Sequence, residues 1–206
     1  MGAGGAAMIP GITVVIPTHT GRVRNGMTKR AIGSVLGQTL PAASIIVEHD
    51  TAGAGAAATR NRGLQKATTE WVAFLDSDDQ LKPVHLERLM ECAIEGSADY
   101  VYAWYEAVGF GADPLPHFGR TFNPEKPTQT TITTLVRTEL AQSVGFRKPP
   151  EGALIDGERY GEDFLFTVEC VKAGARIVHL PERTWLWNFH GANTSGLPTQ
   201  GDARIR

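Results

Sequence analysis

A chain of 206 residues, 42% hydrophobic and 20% charged, is long enough to bury one sizeable core and too apolar to be a disordered or fibrous protein. Its formal charge of -2 and the lack of any long Lys/Arg run exclude a nucleic-acid binder that works by bulk electrostatics. No apolar stretch approaches the ~20 residues that span a bilayer, and MGAGGAAMIPG lacks the basic region and long apolar core of a signal peptide. Residues 1–11 are therefore expected to be a flexible tail on a soluble, cytoplasmic protein. The two cysteines, Cys92 and Cys170, fall in helix-like segments and read as small buried hydrophobes, in keeping with a reducing compartment.

Ile12–Ile16 (ITVVI) is a β-branched run that predicts a buried strand, with Pro17 forcing the chain out of the sheet. Met27–Leu36 places Met27, Ala31, Ile32, Val35 and Leu36 at helical spacing, with Gly37 as a stop. Ser44–Val47 predicts a second buried strand, which runs into Glu48, His49 and Asp50 and then the small-residue loop TAGAGAAA. A helix is expected over Ala57–Ala67, a third strand over Trp71–Leu75 and a helix over Pro83–Ile94, with Pro at its first turn. Tyr100–Ala107 alternates and is rich in aromatics, as a strand is.

From Val108 to Pro127 Gly and Pro dissolve the pattern into a long connection of the kind that tends to be functional. A strand follows over Thr130–Val136 and a helix over Thr138–Val144. A longer helix over Gly161–Ala173 has Phe164, Val168 and Val171 available to the core, and late strands are expected over Arg176–Leu180 and Thr184–Phe189. Residues 191–206 read as a polar tail. Alternating strands and helices predict an α/β fold with a mostly parallel central sheet and helices on both faces. Ligands of such sheets bind beyond the carboxyl ends of the strands. His19, Asp50 and the Asp76–Asp79 run each follow one of three successive strands.

The run WVAFLDSDDQLKP sets three carboxylates within four residues at the end of a buried strand. Like charges so close repel, and burying them costs more unless a cation sits among them. A divalent ion answers that need; a turn and helix cap before Pro83 is the alternative, since Asp and Ser favour such places.

These stretches together resemble a family 2 glycosyltransferase of the GT-A, Rossmann-like fold. The resemblance runs from about Ile12 to His190 through VVIPTHTGR, SVLGQT, IIVEHD, ATRNRGL, AFLDSDD as the DxD motif, GEDF as the acidic motif, and the terminal His. It implies an inverting transferase with a nucleotide-diphosphate sugar as donor, a UDP-sugar being expected, a hydroxyl acceptor, and Mn2+ or Mg2+ bridging the diphosphate to Asp78. Asp76 and Ser77 then lie by the ribose and diphosphate. Pro17, Thr18 and His19 resemble the base-contacting corner, His19 standing where a ring stacks on the base or else in an ordinary surface loop. Asp50 resembles the carboxylate that binds uracil, although TAG replaces the D-G-S that usually follows it.

Arg60 and Asn61 resemble a pair near the nucleotide, or else line a polar helix face. Glu162 and Asp163 either complement a helix dipole or, as the resemblance implies, supply the general base at Asp163, there a weak base at rest. His190 resembles the first residue of an H-x-x-x-x-S element that closes over metal or diphosphate. Trp104, Trp185 and Trp187 read as core, and His49, His85, His117 and His179 give no convergent signal. One domain over residues 12–190 is expected, with 12–107 binding the donor and 108–190 the acceptor, and with a homo-oligomer or other partner able to complete the acceptor site. A nucleotidyltransferase and a nucleotide-sugar-binding protein without turnover stand as alternatives; a phosphatase and an EF-hand loop fit the cluster poorly.

Overall fold

The computed structural model describes residues 9–109, 117–128, 130–152, 154–155 and 158–190. Most of the expected N-terminal tail, the tail over 191–206 and residues 110–116 of the expected long connection lie outside the described residues. In chain order the elements are β1 (Ile9–Thr18), α1 (Thr20–Arg24), α2 (Met27–Leu36), β2 (Ser44–His49), α3 (Ala56–Leu64), β3 (Thr69–Phe74), β4 (Gln80–Leu81) and α4 (His85–Glu95). There follow β5 (Tyr100–Val108), β6 (Thr134–Arg137), α5 (Thr138–Val144), β7 (Leu154–Ile155), β8 (Glu158–Arg159), α6 (Glu162–Lys172) and β9 (Ile177–Asn188).

Seven strands form one sheet in the order β2-β1-β3-β6-β5-β9-β4, and β7 pairs with β8 in a separate ribbon. From the pairings, β2, β1, β3, β5 and β9 run one way, while β6 and β4 run against them. The expected mostly parallel sheet is therefore present. Helices cover both faces. On one, Phe74 of β3 meets Phe146 and Phe166 edge-on, and Phe146 and Phe166 stack at 4.2 Å, which seats α6. On the other, Val178 of β9 packs on Gly96 at the end of α4. Gln38 beyond α2 donates to the Lys82 carbonyl and accepts from the Leu86 amide, tying α2 to α4. α3 approaches β1 closely because Gly63 has no side chain: a Cβ there would stand 2.6 Å from Val15 Cγ1.

Several expectations are corrected. β1 does not end at Pro17. It runs to Thr18, paired with β2 as far as Thr18↔His49, whereas its pairing with β3 stops at Val15↔Phe74. Beyond Val15 one side of β1 is open, so a residue without N–H is tolerated there. β2 is not a buried strand but the sheet edge, with Val47 40% exposed. β5 does not alternate: Tyr100 to Tyr105 are all buried, because α6 and α4 cover its two faces.

The helix expected from Pro83 begins at His85. In α6 the buried positions are Phe164, Phe166, Thr167 and Cys170, with Val168 and Val171 only partly covered, since the aromatic stack sets its inward face. The two late strands are one, β9, continuous through Pro181. β9 gains two residues over β5 between His179 and Arg183, and β4 pairs only with Trp185 and Leu186, so Pro181 owes no hydrogen bond to the β4 side. Trp104 and Trp185 are core, as expected. No helix among the described residues is long and apolar enough to cross a membrane.

Candidate functional site

The carboxyl ends of β1, β2 and β3 open onto a cavity of about 680 Å3. β1 brings Pro17 and Thr18 to it, with His19 following as an exposed residue. β2 brings Asp50, whose amide donates to the Thr18 carbonyl at 2.8 Å. β3 brings Asp76, and α3 and α6 supply Arg60, Glu162 and Asp163.

Past β3 the chain turns sharply, the Asp79 amide donating to the Asp76 carbonyl at 3.0 Å. The turn places oxygens of Asp76, Asp78 and Asp79 within 4.8 Å of one another. Asp79 is buried and accepts from the Asn188 amide at 2.9 Å, while Asn188 Nδ2 donates to the Asp78 carbonyl at 2.8 Å. Burial, reinforced by the charges of Asp78 and Asp76, pushes the Asp79 carboxyl well above its ordinary pKa. Asp78 Oδ2 receives both Arg22 Nη2 at 2.7 Å and His190 Nε2 at 3.0 Å. Arg60, buried at 3% exposure, gives Nη2 to Asp76 and Nη1 to Glu162, each at 2.6 Å. Burial opposes its charge, but the two carboxylates more than restore it and its pKa is raised.

Asp163 is the second residue of α6 and accepts from the Phe164 amide at 2.8 Å. A helix start would depress its pKa. Burial and the neighbouring Glu162 outweigh that, and the carboxyl is raised above its ordinary value. The weak resting base expected from sequence is thus corrected: in this setting Asp163 holds a proton more firmly than a free aspartate does.

The charges of the donor set suit a divalent cation. Asp76, Asp78, Asp79, Glu162 and Asp163 confront two guanidiniums, Arg22 and Arg60, and the His190 imidazole. That surplus of negative charge is concentrated on three close carboxylates, and oxygen ligands suit Mg2+ or Mn2+. The residues fit such an ion, and Asp76 and Asp78 are the ones that would hold it.

Of the residues singled out from sequence, Pro17, Thr18, His19, Asp50, Arg60, Asp76 and Asp163 share the wall of the one cavity. Asp78, Ser77 and His190 stand at the carboxylate cluster beside it. Ser77, expected to meet the donor, has no exposed surface and its Oγ lies 3.4 Å from Arg22 Nη1. Its side chain faces inward because the turn after β3 folds it under its neighbours. Asp50 gives both carboxylate oxygens to its own loop, accepting from the Ala54 amide at 2.9 Å and the Gly55 amide at 2.8 Å, and these bonds hold its pKa low. Thr18 Oγ1 is 2.6 Å from Thr28 Oγ1. Arg22 was missed by sequence reasoning; α1 has no apolar period, and the available signal was a basic residue five positions after Pro17 at the end of a strand.

Residues 42–149 match Glycosyl transferase family 2. Among curated proteins the chain is similar to the teichuronic acid biosynthesis glycosyltransferase TuaG of Bacillus subtilis (strain 168), 39% identical over 64 residues, which are 31% of this chain and 25% of TuaG. Its fold is like that of S. aureus TarS in complex with UDP-GlcNAc, with a TM-score of 0.70 and 18% identity over 91% of this chain and 62% of that one. It is also like that of the mannosyltransferase PcManGT from Pyrobaculum calidifontis in complex with GDP-Man and Mn2+, with a TM-score of 0.61 and 15% identity over 87% of this chain and 57% of that one. These likenesses bear out the expected α/β, GT-A fold. The chain spans less than half the length of the curated relatives it matches.

Proposed function

We propose that this chain, which belongs to glycosyl transferase family 2, moves one sugar from a nucleotide-diphosphate sugar to an acceptor hydroxyl, with inversion and with the help of a divalent cation. The observation that carries the reading is the cluster of Asp76, Asp78 and Asp79 carboxylates, within 4.8 Å of one another, beside a cavity that Asp163 also lines. Residues 12–107 would seat the donor and 108–190 the acceptor. His19 and Pro17 border the base, Asp76 and Asp78 would hold Mn2+ or Mg2+, and that ion when bound neutralises charge on the departing diphosphate.

Asp163 takes the proton of the acceptor hydroxyl as its oxygen bonds to the anomeric carbon. The bond from that carbon to the diphosphate breaks on the opposite side, and its electron pair leaves with the nucleoside diphosphate. A raised pKa suits this role, since a base with more affinity for the proton takes it more readily. Arg60 holds Asp76 and Glu162 in place, so the donor and acceptor sides keep one spacing.

UDP is the favoured nucleotide, because the TarS complex holds UDP-GlcNAc, although Asp50 is already engaged by its own loop. Calorimetric titration with UDP, GDP, CDP and dTDP, in Mn2+ and then in EDTA, names the base. Binding of one diphosphate that disappears in EDTA and in Asp78→Ala is expected. Binding indifferent to both removes the metal from the reading.

A further inference from the structure

Taking the metal-dependent donor site as given, we propose that Arg22 is a movable counter-ion, which neutralises Asp78 while no cation is bound and turns to the donor diphosphate once a cation takes that carboxylate. Arg22 Nη2 stands 2.7 Å from Asp78 Oδ2, and its side chain is 19% exposed against 5% for Asp78. The guanidinium therefore lies over the carboxylate, on the side of the cavity that it also lines. A cation bound through Asp78 Oδ2 competes with Arg22 for that oxygen. Two positive groups do not share one oxygen cheaply when a polyanion is within reach.

Little holds Arg22 where it is. α1 has five residues and buries none of them, and it is joined to α2 through Asn25 and Gly26, the latter left-handed at φ 76. Besides Asp78, its one side-chain hydrogen-bond partner among the described residues is Ser77 Oγ, at a long 3.4 Å. Arg60 is the opposite case, with a 4% exposed side chain and each terminal nitrogen on a different carboxylate. Such a group is fixed, and its charge is already spent on Asp76 and Glu162.

The diphosphate needs a cation that is not so fixed. Acidic side chains on the cavity wall include Asp50, Asp76, Glu162 and Asp163, and its basic ones are His19, Arg22 and Arg60. With Arg60 committed, Arg22 is the permanently charged side chain on that wall, among the described residues, that is left to the ligand. A planar guanidinium also meets two phosphate oxygens at once, which an ammonium does not. Release of Arg22 would thus couple the two ligands: the cation frees the side chain, and the freed side chain holds the nucleotide.

The opposed signs make this testable. The full chain and its Arg22→Gln variant are titrated calorimetrically with Mn2+ alone, and then with inorganic pyrophosphate in saturating Mn2+, a probe that has no base. Without its competitor, Asp78 in the variant is expected to bind Mn2+ about threefold to tenfold more tightly, while pyrophosphate binds roughly tenfold more weakly, the loss of one charge-assisted contact. Arg22→Lys, a point charge without the planar fork, restores only part of the pyrophosphate affinity.

Weaker Mn2+ binding in Arg22→Gln would mean that Arg22 is a fixed wall of the cluster and would overturn the proposal. Unchanged pyrophosphate binding would also overturn it. If the variant and the parent bind Mn2+ equally, Arg22 alone has been misassigned. If neither binds it, the metal reading of the site falls as well.

Discussion

Arg60 Nη1 and Glu162 Oε1 lie 2.6 Å apart although 102 residues separate them in the chain, and the other end of the same guanidinium holds Asp76. One buried cation thereby joins the DSDD turn to the start of α6. Removing one partner of a buried pair leaves the other charges uncompensated, at a cost of about 3–5 kcal/mol. Here Asp76 and Glu162 keep 24% and 28% of their side-chain surface and can rehydrate, so Arg60→Met is expected to lose about 3 kcal/mol, the low end of that range. Denaturant unfolding at neutral pH measures it. A loss below about 1 kcal/mol would mean that the bridge behaves like an exposed ion pair.

Asp163→Asn keeps the shape and removes the base. A positioned general base contributes about 10²–10⁴ in rate, so kcat is expected to drop by that much while nucleotide affinity stays within about threefold, as expected of a group absent from the donor contacts.

The raised Asp163 carboxyl also fixes a direction in pH. The base acts when deprotonated, so kcat/KM falls as pH falls through its pKa, and burial and Glu162 place that fall at a higher pH than a free aspartate would. Glu162→Gln removes a neighbouring negative charge and leaves more of Arg60 to act on Asp163. The acid limb is then expected to move to lower pH. A limb that stays put or moves upward would count against Asp163 as the titrating group.

Gly161→Ala tests the placement of the base without changing it. A Cβ at Gly161 would stand 2.5 Å from Asp163 Oδ1, and the nearest atoms it meets belong to that carboxylate. The carboxylate is expected to swing aside at a stability cost below about 1 kcal/mol, with kcat reduced about tenfold or more. Parallel melting curves and single-turnover rates separate the two effects.

His85 sets an acid limit on stability. It is fully buried with Nδ1 2.7 Å from Thr184 Oγ1, and burial pushes its pKa down from 6.5 to about 3. The folded state therefore holds it neutral while the unfolded chain takes a proton below pH 6.5. Its stability contribution is complete above that pH and is lost between there and about pH 3, by about 1.4 kcal/mol per unit. The difference in unfolding free energy between parent and His85→Gln, followed from pH 7 to pH 4, is expected to shrink along that slope.

Much of this was legible in the sequence, for physical reasons. The β-branched runs at ITVVI and SIIV, and the apolar run ending in DSDD, each announce a strand whose polar successor must lie at the same sheet edge. Which strand is the edge is not a local property. Ile45, Ile46 and Val47 look as buried as Val14 and Val15, and only the pairing order shows that they are not. β4 has two residues, too few for any periodicity, and Pro181 looked like a break because the widened register that admits it belongs to two strands at once. Arg22 lay hidden in α1, which has no apolar stripe to reveal a helix. The commitment of Arg60 to Asp76 and Glu162 was hidden for another reason, since its partners are 16 and 102 residues away.

Asn188, the last residue of β9, and His190 just after it together place three bonds on Asp78 and Asp79. Mechanically, the end of β9 and the carboxylate turn are thereby tied into one unit, so a shift of either is passed to the other through those three bonds.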